Sequence, residues 1–228
     1  MDIVAPKMAM PSEGWTAAEK DEASAKKAAE YLNTVQKAYQ SAPYLSDSAK
    51  LTMKLPDGEM KDTLEMSFGK GTDTQLKLGG AQIIVVKDVF NLVPDQPADR
   101  YLSKKIDGSL GDTVGTVLEN FALPAPDFAL RHPAKGASPA DAFSMGAVKG
   151  LRPVGMRTKD GMAQLLLTAD GAEALVVVDP KTNLVKSFTA VMTPQGLPPA
   201  IKIGLDVALS PSTEEPKSPI AFDPGKRK

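Results

Sequence analysis

The spacing of hydrophobic residues changes once along this chain, from a helical period to alternation, and this change limits what the chain can fold into. Ala28, Leu32, Val35 and Tyr39 recur every three or four positions, which places them on one stripe of a helix. From Leu51 onward, apolar and polar residues alternate through short segments separated by turn residues. The pattern predicts an α+β, mainly β fold, in which a curved antiparallel sheet packs its apolar face against helices.

The first predicted element is a helix from Thr16 to Ala42. Thr16 and Glu19 form a capping-box pattern at its start, and Pro43 ends it. About ten or eleven antiparallel strands account for the alternating segments that follow. A long helix with one apolar stripe needs a single apolar surface, and the sheet supplies it.

The middle of the chain interrupts the strands. Residues 110–121 have helical spacing behind a candidate N-cap at Asp112, and residues 138–143 predict a short helix that begins with Ser-Pro. The proline-rich segment 123–136 predicts an irregular crossing. These segments are expected to lie on the apolar side of the sheet.

The domain organisation follows from these elements. Residues 16–209 are predicted to form a single domain, because no linker composition divides them. Residues 1–15 are an N-terminal extension, and residues 210–228 are a tail rich in proline and charge, expected to be extended or mobile.

Composition argues against most enzyme classes. The chain has no Cys, a single His (His132) and a formal net charge of −1. Cysteine nucleophiles, Cys-based zinc sites and disulfides are therefore excluded, and nothing in the charge favours nucleic acid. His132 lies in the proline-rich crossing and is expected to be an exposed loop residue. We predict a protein that is not an enzyme and has no nucleic-acid partner.

Methionine offers the remaining soft metal ligand. Met53, Met60 and Met66 could bind Cu(I) through their sulfur atoms. They alternate with polar residues among Leu and Phe, which favours flexible filling of an apolar surface instead. Prominent acids such as Asp57 and Asp160 adjoin Gly, where Asp stabilises turns. No catalytic residue, metal ligand or cofactor is predicted.

The sequence shows neither a membrane-spanning run nor a secretory signal. No apolar run reaches the roughly 18–20 residues that span a bilayer. The first ten residues, MDIVAPKMAM, lack the basic and long apolar regions of a secretory signal. Either the protein is cytosolic, or the sequence begins after a removed export signal.

The apolar face of so large a sheet must be covered. If the helices fill it completely, the protein is a packed domain. If they cover it in part, a cavity lined by aliphatic and Met side chains remains, which suits an acyl chain. Composition does not choose between these two interpretations.

Three segments carry a family resemblance. Residues 175–186, LVVVDPKTNLVK, resemble an apolar strand, an Asp-Pro-x-Thr turn and a returning strand of the bacterial LolA/LolB-like superfamily, and especially of its DUF2092-like exported proteins. Residues 87–94, KDVFNLVP, are similar to a short hairpin of that group that ends in Pro. The helix from Thr16 and the first hairpin, residues 51–68, match its opening elements, so the resemblance covers roughly residues 16–209.

The resemblance implies an incomplete β-barrel with helices on its concave side, in an exported, periplasmic protein. Its best-known members carry the acyl chains of lipoproteins, and others sense envelope stress by binding lipid or protein. This sequence departs from the carriers at Gly69-Lys70-Gly71, where they place an Arg, and it lacks a lipidated Cys.

The expected function is therefore non-enzymatic binding or transport of a lipid or acyl chain, which could belong to a lipoprotein, in the cell envelope. The alternative is a structural or sensory envelope module with a fully packed core, whose partner is another envelope protein.

The predicted ligand-binding residues are apolar and share strand parity or a helix face that aims them at the cavity. They are Leu32, Val35, Leu51, Met53, Leu64, Met66, Leu76, Leu78, Val117, Leu118, Phe121, Ile203 and Leu205.

Overall fold

One antiparallel sheet dominates the computed structural model, which describes residues 8–96, 100–117, 125–144, 148, 150–193, 201–216 and 218–225. In this part of the chain the helices are α1 (Glu22–Ser41), α2 (Leu110–Val117) and α3 (Pro126–Arg131), with 3-10 helices at Ala18–Lys20 and Pro139–Phe143. The strands are β1 (Leu45–Leu55), β2 (Gly58–Phe68), β3 (Thr74–Leu78), β4 (Ala81–Val86), β5 (Val89–Pro94), β6 (Leu102–Lys105), β7 (Arg152–Lys159), β8 (Met162–Ala169), β9 (Ala172–Asp179), β10 (Leu184–Met192) and β11 (Ile203–Ala208).

The strand order is β6-β5-β4-β3-β2-β1-β11-β10-β9-β8-β7. Strands that follow each other in sequence pair as antiparallel neighbours, except β6 and β7, which lie at opposite edges of the sheet. The last strand, β11, also pairs with β1 and so joins the two halves at the centre of the sheet. The sheet is curled but does not close, and its edges are β6 and β7. The predicted mainly β fold with a curved antiparallel sheet is confirmed.

The helices cover one side of the sheet, which we call the inner face; the opposite side is the outer face. The stripe of Ala28, Leu32, Val35 and Tyr39 on α1 is buried in one hydrophobic core with alternate residues of the strands. Because side chains of a strand alternate between faces, this core takes the odd positions of β1 and the even positions of β2.

The start of the first helix differs from the prediction. Thr16 and Glu19 do form the predicted capping interactions, with the Thr16 amide donating to Glu19 Oε2 at 2.7 Å, but they close a 3-10 turn. α1 begins after Asp21, whose carboxylate accepts from the Ser24 amide at 2.7 Å. Asp21 has extended backbone, with φ −74° and ψ 172°, and this breaks the predicted single helix into two.

α1 also covers one edge of the sheet. The Ser24 hydroxyl contacts the backbone of edge strand β7 at Met156, accepting from its amide at 2.9 Å and lying 3.1 Å from its carbonyl oxygen. An unpaired strand edge exposes backbone groups that would otherwise need water or another strand. Ser24 therefore supplies a side-chain partner where the β-ladder ends.

The central segments differ in detail from the prediction. α2 is described to Val117. Its first turn is capped by Ser109 and not by the predicted Asp112, because the Ser109 hydroxyl accepts a hydrogen bond of 3.0 Å from the Asp112 amide. The predicted short helix is a 3-10 helix whose capping box joins Ser138 and Asp141. α3 was not predicted; it lies in the segment expected to be an irregular crossing.

The segments before and after the predicted domain both contact the sheet. The Ser12 amide donates to Glu173 of β9 at 2.9 Å. In the tail, Ser212 and Ser46 exchange two backbone hydrogen bonds of 2.8 Å, and the Tyr44 hydroxyl donates to Glu215 at 2.7 Å. Both segments thus contact the sheet, while the predicted division at residues 16 and 209 stays a prediction.

Candidate functional site

The middle of the inner face is closely packed. Leu32 and Val35 of α1 meet Leu64 and Met66 of β2 in the core, and each of these side chains is at most 1% exposed. Leu51, Leu76 and Leu205 belong to the same cluster. At this depth the helices fill the curvature of the sheet.

One end of the inner face is left uncovered. Met53 of β1 pairs with Met60 of β2, and the side chains of these residues are 38% and 62% exposed. The pairing of β2 with β3 begins only at Leu64, so no described strand pairs with residues 58–63 on their other side. The β1–β2 hairpin therefore projects past its neighbour.

The exposed methionines continue the buried rows of the core. Met53 also pairs with Leu205 of β11, which is 2% exposed. Leu55 and Ile203 have the same parity and are half-buried. We call Met53, Leu55, Met60 and Ile203 the open end of the inner face. It is an apolar surface that begins in the core and ends in solvent.

The structure thus divides the predicted binding residues by depth. Leu32, Val35, Leu51, Leu64, Met66, Leu76 and Leu205 are buried in the core, Leu78 and Val117 are partly buried against it, and Met53 and Ile203 lie at the open end. Leu118 and Phe121 lie outside the described residues. The role of every residue of this predicted set in ligand binding stays a prediction.

The core also contains a pair of carboxyl groups that the sequence did not indicate. Asp127 of α3 is fully buried beside the side chains of Asp47 and Tyr39. Burial raises the pKa of Asp127 well above its usual range, and the adjacent Asp47 raises it further. Asp127 is therefore a neutral acid where it is packed, because an unpaired charge in an apolar core is costly.

Asp47 and Tyr39 complete this group. Asp47 accepts a 2.6 Å hydrogen bond from the Ser210 amide, and burial raises its pKa despite this bond. The Tyr39 hydroxyl accepts from the Val185 amide at 3.0 Å, and burial raises the pKa of Tyr39 well above its usual value. The group joins α1, α3 and the sheet at the covered part of the inner face.

Arg131 fixes α3 to the C-terminal end of α1. Its guanidinium donates to the carbonyl oxygens of Tyr39, Ala42 and Gly69 at 2.7 to 2.8 Å. The last carbonyls of a helix have no partner within the helix, so this cation also satisfies groups of α1 that would otherwise be orphaned. Burial lowers the pKa of Arg131.

His132 is not the exposed loop residue that was expected. Its Nε2 lies 3.3 Å from the buried Thr74 hydroxyl, and its ring packs near Phe68 and Phe128. Burial, with a smaller contribution from Arg131, lowers its pKa to about 4. A neutral imidazole with aromatic neighbours and one hydroxyl partner has a structural role, and the expectation of exposure was wrong.

Three further features of the described residues bear on function. Among the described residues, no group of three or more His, Asp or Glu could hold a metal ion. A groove of about 320 Å³ lies on the outer face, where Met8 and Lys54 approach Gly204. Within the described part of the chain, no helix is long and apolar enough to cross a membrane.

No family model matches the chain, and no curated protein does. Solved structures match it at low identity. A DUF1329 family protein from Desulfovibrio piger is 11% identical, covers 82% of this chain and 91% of its own, and gives a TM-score of 0.34. Lipoprotein LppX from Mycobacterium tuberculosis is 10% identical, with coverages of 81% and 94% and a TM-score of 0.35.

A LolA superfamily protein from Nitrosomonas europaea is 10% identical, with coverages of 84% and 94% and a TM-score of 0.26. The LolA-like resemblance seen in the sequence thus has a counterpart among the matched structures, whereas the DUF2092-like branch stays a prediction. With TM-scores below 0.5, these similarities carry no weight for ligand or partner.

Proposed function

We propose that this chain is a non-enzymatic protein of the cell envelope that binds the apolar part of a lipid or acyl chain at the open end of its inner face. The observation that carries the proposal is the exposed pair Met53 and Met60, which extends an otherwise buried apolar surface into solvent.

The chemistry of this surface suits a flexible chain. Met has three rotatable bonds and a polarizable sulfur, so a pair of Met side chains can adapt to ligands of different shape. Half-buried Leu55 and Ile203 flank the pair and lead to Leu205 in the core. A contiguous exposed apolar surface on a folded protein commonly marks a ligand or partner site.

The packing of the core limits how deep a ligand reaches. Leu64 and Met66 are buried in the core cluster, so a ligand bound without rearrangement lies on the open end. This differs from the cavity expected from the sequence, in which both residues face the ligand.

The proposal is tested first by native mass spectrometry of the full-length protein purified from its own host, which should retain a lipid. A fluorescent fatty acid should also bind, and Met60→Ser should weaken binding about fivefold, because removing the thioether chain removes roughly 1 kcal/mol of apolar contact. Leu102→Ser is the matched control, since Leu102 is 50% exposed on the distant edge strand β6. Equal effects of the two substitutions would contradict the proposed site.

A second candidate function has its own support. The complete packing of Leu32, Val35, Leu64 and Met66 is what a structural or sensory module without a ligand would show. In that case no lipid co-purifies, the fatty acid does not bind, and crosslinking in the host captures an envelope protein through Met53 or Met60 substituted by a photoreactive residue. Fractionation of the host tests the proposed export for both functions.

A further inference from the structure

A single carboxylate interrupts the apolar open end. Asp62 of β2 pairs with Leu51 and has the same parity as Met60 and Leu64, so its side chain lies on the inner face. Asp47 is the other charged side chain that β1, β2, β3 and β11 place on that face, and Asp47 is buried beside Asp127. Asp62 is the exposed one.

The two oxygens of the Asp62 carboxylate have different surroundings. Oδ1 accepts from the Thr63 amide at 2.7 Å. Oδ2 points towards the turn between β3 and β4, where a Cβ atom at Gly79 would lie 3.4 Å away. Gly79 has no side chain, so this turn places none against Oδ2, and Asp62 is exposed.

No described cation neutralises this group. The ion pairs of the hairpin and its neighbours involve residues of the opposite parity, on the outer face: Lys54 with Asp206, Lys61 with Glu59 and Lys77 with Glu65. Among the described residues, Asp62 has no ion-pair partner. Its negative charge therefore stands next to exposed apolar side chains.

We infer that the ligand of the open end is an amphiphile with a cationic head, such as an alkylammonium or an amine-bearing lipid. This inference rests on the proposed function. Asp62 and Met60 are two positions apart on one strand, which is about 7 Å. When an ammonium group binds at Oδ2, its attached chain can therefore lie over Met60 and Met53. An anionic head placed there would meet a like charge.

The test compares two probes of equal chain length, dodecylammonium and dodecanoate, both below their micellar concentrations. Each displaces a neutral apolar dye, N-phenyl-1-naphthylamine, from the full-length protein. Dodecylammonium should displace it at a concentration about two- to fivefold lower, the range of an exposed ion pair, and added salt should reduce the preference.

Asp62→Asn should abolish the preference, whereas Glu59→Gln should retain it, because Glu59 lies on the same hairpin but on the outer face. If both probes displace the dye equally from the wild-type protein, the cationic preference is overturned and the apolar site stands. A preference that persists in Asp62→Asn also overturns the inference. If the dye and both probes fail to bind, the proposed function fails with it.

Discussion

Replacing Asp127 with asparagine should flatten the pH dependence of folding stability. Asp127 is fully buried, and burial together with Asp47 raises its pKa well above the usual range. The folded protein therefore holds a proton that the unfolded chain releases near pH 4. Asparagine has the shape of the protonated acid and cannot ionise.

The sign and size follow from proton linkage. A group whose pKa is higher in the folded state contributes stability that is fully present below the unfolded pKa, about 3.9 for Asp. That stability is lost as the pH rises towards the folded pKa, at a slope of up to about 1.4 kcal/mol per pH unit for one proton. The difference between the free energies of unfolding of Asp127→Asn and of the wild type should therefore rise with pH above about pH 4. Its slope should be at most about 1.4 kcal/mol per pH unit.

Urea denaturation of both proteins at intervals of one pH unit from 5 to 8 measures this difference. The pKa of His132 falls from 6.5 to about 4 on folding, so it contributes stability above pH 6.5 that is lost towards pH 4. This contribution has the opposite sign, but it is present in both proteins and cancels in the difference. Asp57→Asn, in the exposed β1–β2 turn, is the control and should leave the slope unchanged.

The reasoning would be refuted by parallel stability curves for the wild type and Asp127→Asn. It would also be refuted if the substitution became more destabilising as the pH rose. Either result would mean that Asp127 is ionised and stabilised by a partner in the folded protein.

Three further predictions concern packing, the sheet edge and the histidine. Leu76→Ala should lower the free energy of unfolding by about 2–5 kcal/mol, because Leu76 is 2% exposed. Met60→Ala should lower it by less than about 0.5 kcal/mol, because Met60 is 62% exposed. Similar losses in urea denaturation would contradict the assigned depths. Ser24→Ala should cost about 1–3 kcal/mol and speed amide hydrogen exchange at Met156, whose donor loses its partner; unchanged exchange there would exclude this role. The single His132 should titrate by NMR with a midpoint near 4, and a midpoint near 6.5 would show that it is solvated.

Strand parity was readable from the sequence because alternation is a local property of the chain. Leu51, Leu64 and Leu76 were assigned to the helix-facing side, and they lie there. Parity shows on which face of the sheet a side chain lies, but not how deeply it is buried. Met53 has the parity of Leu51 and is nonetheless exposed, because it lies at the end of the inner face that the core does not cover.

The buried polar groups needed the tertiary structure. Asp127 follows Pro126, and a Pro at the first helical position could have indicated α3. Nothing near Asp127 in sequence shows that Asp47 and Tyr39 face it, since they belong to β1 and α1. The environment of His132 likewise depends on Thr74 and other residues that are distant in sequence.

The sequence by itself determined the alternating strands of this protein and the faces of those strands and of α1, since a period of 3.6 or 2 and a turn residue act within a few positions. The tertiary structure decided which part of the apolar face is filled and which part is left open. That outcome depends on where β3 stops, how far the helices extend and which strands become neighbours. These are contacts between residues far apart in the chain, and no local pattern encodes them.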